Sequence, residues 1–207
     1  MGVIEGKDNL FQCMSQLMAA EVDPVSRQDH IWQRYGETVA VMVLDSSGFS
    51  RTSKSHGIVH FLSRLMQLRH LSRPVLEAHD CKRIHFEADN AFAVFRSATD
   101  AVAAALALRE TVFDSGLMLT DNERFRISMG VGYGRLLYSE TLEGYFGDEM
   151  NYASKLGEDI ACGDEILLTR AAFDAAEPSL VGAFVADSIE TSGVRLEFYR
   201  HCFGLKQ

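Results

Sequence analysis

The chain has 207 residues, enough for one fairly large domain, and its 47% hydrophobic content is enough for a sizeable core. Twenty basic against 29 acidic residues give a formal net charge of −9, with no Lys/Arg block, which argues against nucleic-acid binding. No apolar stretch reaches the ~20 residues that span a bilayer, and no signal pattern opens the chain, so a cytoplasmic protein with no membrane partner is expected.

In chain order, Leu10, Phe11, Met14, Leu17 and Met18 recur at helical spacing, which makes residues 1–36 an N-terminal helical arm. Val39 to Leu44 is uninterrupted and apolar, the pattern of a strand buried on both faces. A Ser46-Ser47-Gly48 turn follows, and helical spacing resumes from Ile58 to Leu71. Ile84 to Phe95 reads as a hairpin turning at Ala88-Asp89-Asn90, where Asp and Asn tolerate unusual dihedrals. Ser97 to Asp100 carries a capping signal ahead of an Ala/Leu-rich helix to about Phe113.

Phe125 to Val131 is a predicted strand. Gly130, Gly132 and Gly134 crowd its end, and Leu136 to Tyr138 is read as its hairpin partner. A helix is predicted from about Met150 to Ile160, a short strand over Glu165–Thr169 and a short helix over Ala171–Ala176. Phe184–Ala186 and Val194–His201 close the chain as an antiparallel pair. The central order β-α-β-β-α-β is the ferredoxin-like arrangement, so the fold class is α+β, an α/β sandwich. The catalytic domain is expected over residues 37–207. Cys13, Cys81, Cys162 and Cys202 are scattered without a CxxC pair and read as reduced thiols.

Asp45 and Asp89 end two apolar strands, 44 residues apart. A buried carboxylate needs a partner, and a divalent cation shared by two such groups is the usual hard-ligand solution. The small, Gly-bearing loop Ser47-Gly48-Phe49-Ser50 offers backbone N–H groups that suit phosphates. Together these features point to a metal–triphosphate site. Two other patterns are read blandly. His56 and His60, four apart on a helix, lack a third ligand and are taken as surface histidines, and the three alternating glycines mark a tight hairpin rather than a dinucleotide loop.

Three segments, in order and suitably separated, resemble the catalytic domain of the class III nucleotidyl cyclases. They are Leu44-Asp45-Ser46-Ser47-Gly48-Phe49-Ser50, then Phe86 to Phe95, then Phe146-Gly147-Asp148-Glu149-Met150-Asn151-Tyr152-Ala153-Ser154-Lys155-Leu156. The resemblance spans roughly residues 37–203. It implies that Asp45, Asp89 and the Ser46 carbonyl hold two divalent metal ions, Mn²⁺ or Mg²⁺. It implies that Asn151 orients the ribose and that Lys155 takes the place of the family's transition-state arginine. It also implies a homodimer, with the aspartates of one subunit meeting Asn151 and Lys155 of the other at the interface.

The base-reading positions depart from the family. His85 stands where adenylate cyclases carry Lys, and Gly144 where they carry Asp or Thr, while the guanine-selecting residues are missing too. A stand-alone cyclase so altered is similar to the bacterial pyrimidine cyclases of phage-defence (Pycsar) systems. That likeness implies that UTP or CTP becomes cUMP or cCMP, read by a separate effector. An adenylate cyclase with unusual base contacts, and a catalytically inactive cyclase-like regulatory domain, are the competing readings.

Overall fold

A computed structural model describes residues 9–140, 144–191 and 193–201; Cys202 lies outside them, and Cys13, Cys81 and Cys162 are free thiols. Two helices come first, α1 (Leu10–Ala19) and α2 (Pro24–Tyr35), each started by a side-chain cap. The Asn9 side chain accepts from the Phe11 and Gln12 N–H groups, and the Asp23 carboxylate from those of Val25 and Ser26. These caps satisfy donors that a helix start leaves unpaired. The helices pack on each other through Leu10, Ile31 and Tyr35, and against Leu137.

The rest runs β1 (Gly36–Ser46), α3 (Phe49–His56), α4 (Ile58–Ala78), β2 (Arg83–Glu87), β3 (Asn90–Phe95) and α5 (Ala98–Asp114). A small hairpin, β4 (Met118–Thr120) and β5 (Glu123–Arg124), leads into β6 (Ile127–Ser139) and β7 (Gly144–Phe146). Then come α6 (Asp148–Ser154), a π-helical turn over Lys155–Ile160, β8 (Ile166–Leu168), α7 (Arg170–Ala175) and α8 (Pro178–Val181). The pair β9 (Phe184–Thr191) and β10 (Val194–His201) ends the fold.

The main sheet has the order β2-β3-β1-β6-β8-β10-β9, with β7 also paired to β6. β1 lies antiparallel between β3 and β6. The four central strands therefore have the ferredoxin-like order expected from the sequence. Side chains of β1 alternate between two cores. Ala40, Met42 and Leu44 face Phe61 and Leu65 of α4 and Ala101, Ala105 and Leu108 of α5. Val39, Val41 and Val43 face Leu136, Tyr145 and Ala153 on the other side. Each fully buried Val or Leu there contributes roughly 1.5–3 kcal/mol relative to exposure.

Three predicted features differ. The glycines of β6 make no turn, because β6 is one continuous strand through all of them. Gly130, Gly132 and Gly134 share one face, and α6 with its π turn lies on it. A Cβ at Gly130 would sit 2.1 Å from the Ala153 carbonyl oxygen, and one at Gly132 would sit 2.6 Å from that of Glu149. The glycines are there so that a helix backbone can lie directly on the strand. The helix predicted over Met150–Ile160 begins at Asp148 and widens into a π turn from Lys155. His56 and His60 do not share a helix: α3 ends at His56, Gly57 intervenes at φ 87°, and α4 then begins, with the two rings 5.2 Å apart across the break.

Candidate active site

Asp45 lies one residue before the end of β1, on the face that carries α6 and the π turn. The register pairs Leu44 with Ala91, so Asp45 reaches the level of the β2–β3 turn, Ala88-Asp89. That turn is fixed from outside. Ala88 sits at φ 48°, and Arg69 of α4 donates to the Ala88 carbonyl at 2.5 Å. The Arg69 guanidinium also stacks 5.1 Å from the Phe86 ring. Asp89 is thus presented beside Asp45 by two rigid elements.

Burial pushes the Asp45 carboxyl up to about 6, and the negative charge of Asp89 pushes in the same direction, as do Glu158 and Asp159 on the π turn. The backbone N–H of Ser46 opposes the shift. Burial likewise raises Glu158, aided by Asp159, Asp89 and Glu87. Burial and the mutual repulsion of neighbouring carboxylates act in the same direction here. Ser46 beside them is almost fully buried, and its Oγ has no hydrogen-bond partner.

The loop after Asp45 turns at Gly48, φ 96°, where a Cβ would lie 2.9 Å from a Leu119 methyl. The Ser47 N–H is spent on the Arg126 carbonyl at 3.1 Å, so Ser47 has no backbone donor left for an anion. The N–H groups at the start of α3, at Phe49 and Ser50, are the ones a helix leaves open. The Phe49 ring packs edge-on against Phe61 at 4.8 Å, anchoring the loop to α4.

Asn151 and Lys155 stand on α6 and its π continuation, whose position Glu149 sets. Its Oε2 accepts from the Tyr133 N–H at 3.1 Å and from the Thr169 hydroxyl at 2.6 Å. Asn151 is exposed. Lys155 donates to Asp159 at 2.6 Å and lines a hollow of about 260 Å³ together with Tyr152, Arg170 and Arg195.

His85 and Gly144, 59 residues apart, line one hollow of about 190 Å³. Its walls are Val41, Phe92, Val94, Phe146 and Met150, and Arg83 and Glu87 enter it beside His85. Arg83 was not singled out by the sequence. Strand alternation from His85 was the signal that could have found it, since Arg83, His85 and Glu87 share a face.

Among the described residues no cluster of three or more His, Cys, Asp and Glu side chains has metal-holding geometry. Asp45 and Asp89 still fit a hard cation that shares its ligands with phosphates and water, because Mg²⁺ commonly takes only one or two protein carboxylates. Among the described residues no helix is long and apolar enough to cross a membrane.

No family model matches the chain, and no curated protein does. Solved structures do. An adenylate/guanylate cyclase/hydrolase from Silicibacter pomeroyi aligns with TM-score 0.66 at 16% identity, over 80% of this chain and 96% of that one. The guanylate cyclase domain of RhGC from Catenaria anguillulae, in complex with GTP, aligns with TM-score 0.62 at 17% identity, over 79% and 95%. A monomeric adenylate cyclase from Trypanosoma brucei aligns with TM-score 0.61 at 17% identity, over 79% and 88%. The chain has the fold of adenylate and guanylate cyclase catalytic domains.

Proposed function

We propose that the protein is a nucleotidyl cyclase that converts a pyrimidine nucleoside triphosphate into a 3′,5′-cyclic nucleotide and pyrophosphate. The observation that carries this reading is the pairing of Asp45 with Asp89 at the end of β1, in a fold shared with cyclase catalytic domains. Two mutually repelling carboxylates at one strand end are costly unless a cation joins them.

Asp45, Asp89 and the Ser46 carbonyl would hold two divalent ions, Mn²⁺ or Mg²⁺. Bound there, such ions lower the pKa of the ribose 3′-OH and neutralise the phosphates. The start of α3 binds the triphosphate through open N–H groups. Asn151 orients the ribose, and Lys155 meets the charge that develops on the α-phosphoryl group. Nucleophile and target share one molecule, so positioning does most of the work. With Lys in place of Arg, the phosphate contact is a point charge rather than a fork.

His85 and Gly144 line the same hollow, and this supports a base read between β2 and β7. Neither matches the purine-reading residues of the cyclases that the chain resembles, which favours a pyrimidine. In the same reading the active unit is a homodimer, with sites completed across the subunit interface. The product serves as a second messenger for a separate effector in anti-phage defence.

The test is to incubate the protein with Mn²⁺ and equimolar ATP, GTP, CTP and UTP and identify cyclic products by mass. A dominant cUMP or cCMP peak supports the proposal. Cyclic AMP alone keeps the metal site and removes the base assignment. With no cyclic product, the catalytic reading gives way to a regulatory nucleotide-binding domain.

A further inference from the structure

We infer that the hollow between β2 and β7 selects cytosine over uracil, with Arg83 and Glu87 as the specificity-determining pair. The inference rests on the proposed nucleotide site and names its base.

Arg83, His85 and Glu87 alternate along β2, project to one face, and all line the hollow. The Arg83 guanidinium reaches across to Tyr138 on β6 and lies 4.4 Å from its ring centroid. That stacking holds the fork at one end of the groove, a cation–π arrangement that also reduces the cost of ordering it. Glu87 stands at the other end, largely exposed, with its Oε2 3.8 Å from His85 Nε2.

A guanidinium only donates and an ionised carboxylate only accepts, whereas an imidazole nitrogen does either. The strand therefore offers a donor, an adaptable ring and an acceptor, in that order. The cytosine edge presents the O2 acceptor, the N3 acceptor and the N4–H₂ donor. Arg83 donates to O2, His85 donates to N3, and Glu87 accepts from N4, the usual carboxylate partner for that amine. Uracil presents the O4 acceptor where cytosine has N4–H₂. Its lone pairs would face those of Glu87, leaving both unsatisfied.

Guanine also offers an acceptor at one end of its edge and a donor at the other. The hollow of about 190 Å³ is open on one side, so guanine is discriminated in the test and not by size. Val41, Phe92 and Val94 form the apolar floor.

The test uses 3′-deoxy-CTP, 3′-deoxy-UTP and 3′-deoxy-GTP, which cannot cyclise, with Mn²⁺ and isothermal calorimetry. The cytidine analogue should bind about tenfold more tightly than the uridine one, the scale set by one hydrogen bond to a charged group. Glu87→Gln, whose amide can donate to O4, should lose most of that preference. Arg83→Met should weaken both pyrimidines about equally, since both carry O2. Tighter or equal binding of the uridine or guanosine analogue, a preference that survives Glu87→Gln, or binding of none of the three would each overturn the inference. Cyclic product from CTP judges the cyclase reading separately: cytosine-selective binding without product leaves the inference standing and removes that reading.

Discussion

Lys155 donates a hydrogen bond of 2.6 Å to Asp159, four residues further along its own helical segment. Asp159 competes with a phosphoryl group for the Lys155 ammonium. Both side chains are substantially exposed, so the pair contributes only about 0.3–0.5 kcal/mol. Asp159→Asn should therefore raise kcat by about twofold, with KM and the fold unchanged. Lys155→Ala should lower kcat by roughly 10²–10³, the loss expected for one preorganised charge contact. Steady-state kinetics of both variants check this. A fall in kcat for Asp159→Asn would show instead that Asp159 aims Lys155.

Asp45 predicts how stability depends on pH. Its carboxyl titrates at about 6 in the fold, chiefly through burial and then through the charge of Asp89. In the unfolded chain it titrates near 4. The folded state holds the proton more tightly, so ionisation works against the metal-free fold. That penalty is absent below about pH 4, grows as the pH rises towards 6 and is complete above it. Asp45→Asn should accordingly melt above the wild type at pH 7.5, and the gap should close at pH 4. Mn²⁺ must displace this proton, so its affinity for the wild type should weaken by up to about tenfold per pH unit below 6. Thermal melts with and without Mn²⁺ read both effects. A gap that is independent of pH would remove the electrostatic explanation.

How much of this was legible depends on whether the signal is local. The apolar run Val39–Leu44, the Ser97 cap and the Ala88-Asp89 turn all act within a few residues, and the structure has the strand, helix and hairpin they announce. The β6 glycines were misread because their reason lies elsewhere in the chain. They accommodate the backbone of α6, and Gly157 on the π turn does the same against the Val43 carbonyl, 2.6 Å from where its Cβ would be. α3 went unseen because Phe49–His56 is almost entirely polar and only Thr52 is buried. In the candidate site, Asp45 and Asp89 stood out as charges at the ends of apolar strands. Arg83 was passed over because the groups it meets, Tyr138 on β6 and the hollow beside β7, come more than fifty residues later in the chain.

The glycine contact between β6 and the π turn gives a stability prediction. A Cβ at Gly130 would lie 2.1 Å from the Ala153 carbonyl oxygen and 2.6 Å from the Gly157 nitrogen, both backbone atoms that cannot rotate away. Gly130→Ala should cost at least about 3 kcal/mol, the upper end for overpacking. For a chain of this size that lowers Tm by roughly 6–12 °C. Gly193→Ala makes a contrasting control, because a Cβ there meets nothing within 4 Å and only its φ of 75° is unfavourable. Calorimetry of the two variants separates steric from backbone effects. Equal small losses would mean that α6 can lift off β6 cheaply.

The two halves of the proposed site can be tested by mixing. Asp45→Ala and Asn151→Ala should each abolish product and leave the fold intact. If sites form between subunits related by a two-fold axis, a mixed dimer holds one site with both defects and one with neither. Random reassociation of equal amounts should then restore about a quarter of the wild-type activity. Activity of the mixture and mass analysis of the dimers are the measurements. No recovery in demonstrated mixed dimers would place all the groups in one subunit.

The N-terminal arm also reaches the candidate base pocket. Phe11 of α1 packs edge-on against Phe146, ring centroids 5.8 Å apart, and Phe146 lines the hollow that contains His85. Such an aromatic pair contributes about 0.5–1.5 kcal/mol beyond area burial. Phe11→Ala should therefore cost little stability, roughly 1–6 °C in Tm at this chain length. Its effect on function should be specific. With the Phe146 ring no longer buttressed, substrate binds less tightly, and KM rises by no more than about tenfold while kcat holds. Phe11→Leu, which keeps apolar bulk without the ring edge, should fall between the two. If Phe11→Ala lowered kcat and left KM unchanged, the arm would be acting on α6 and Lys155 rather than on the base pocket.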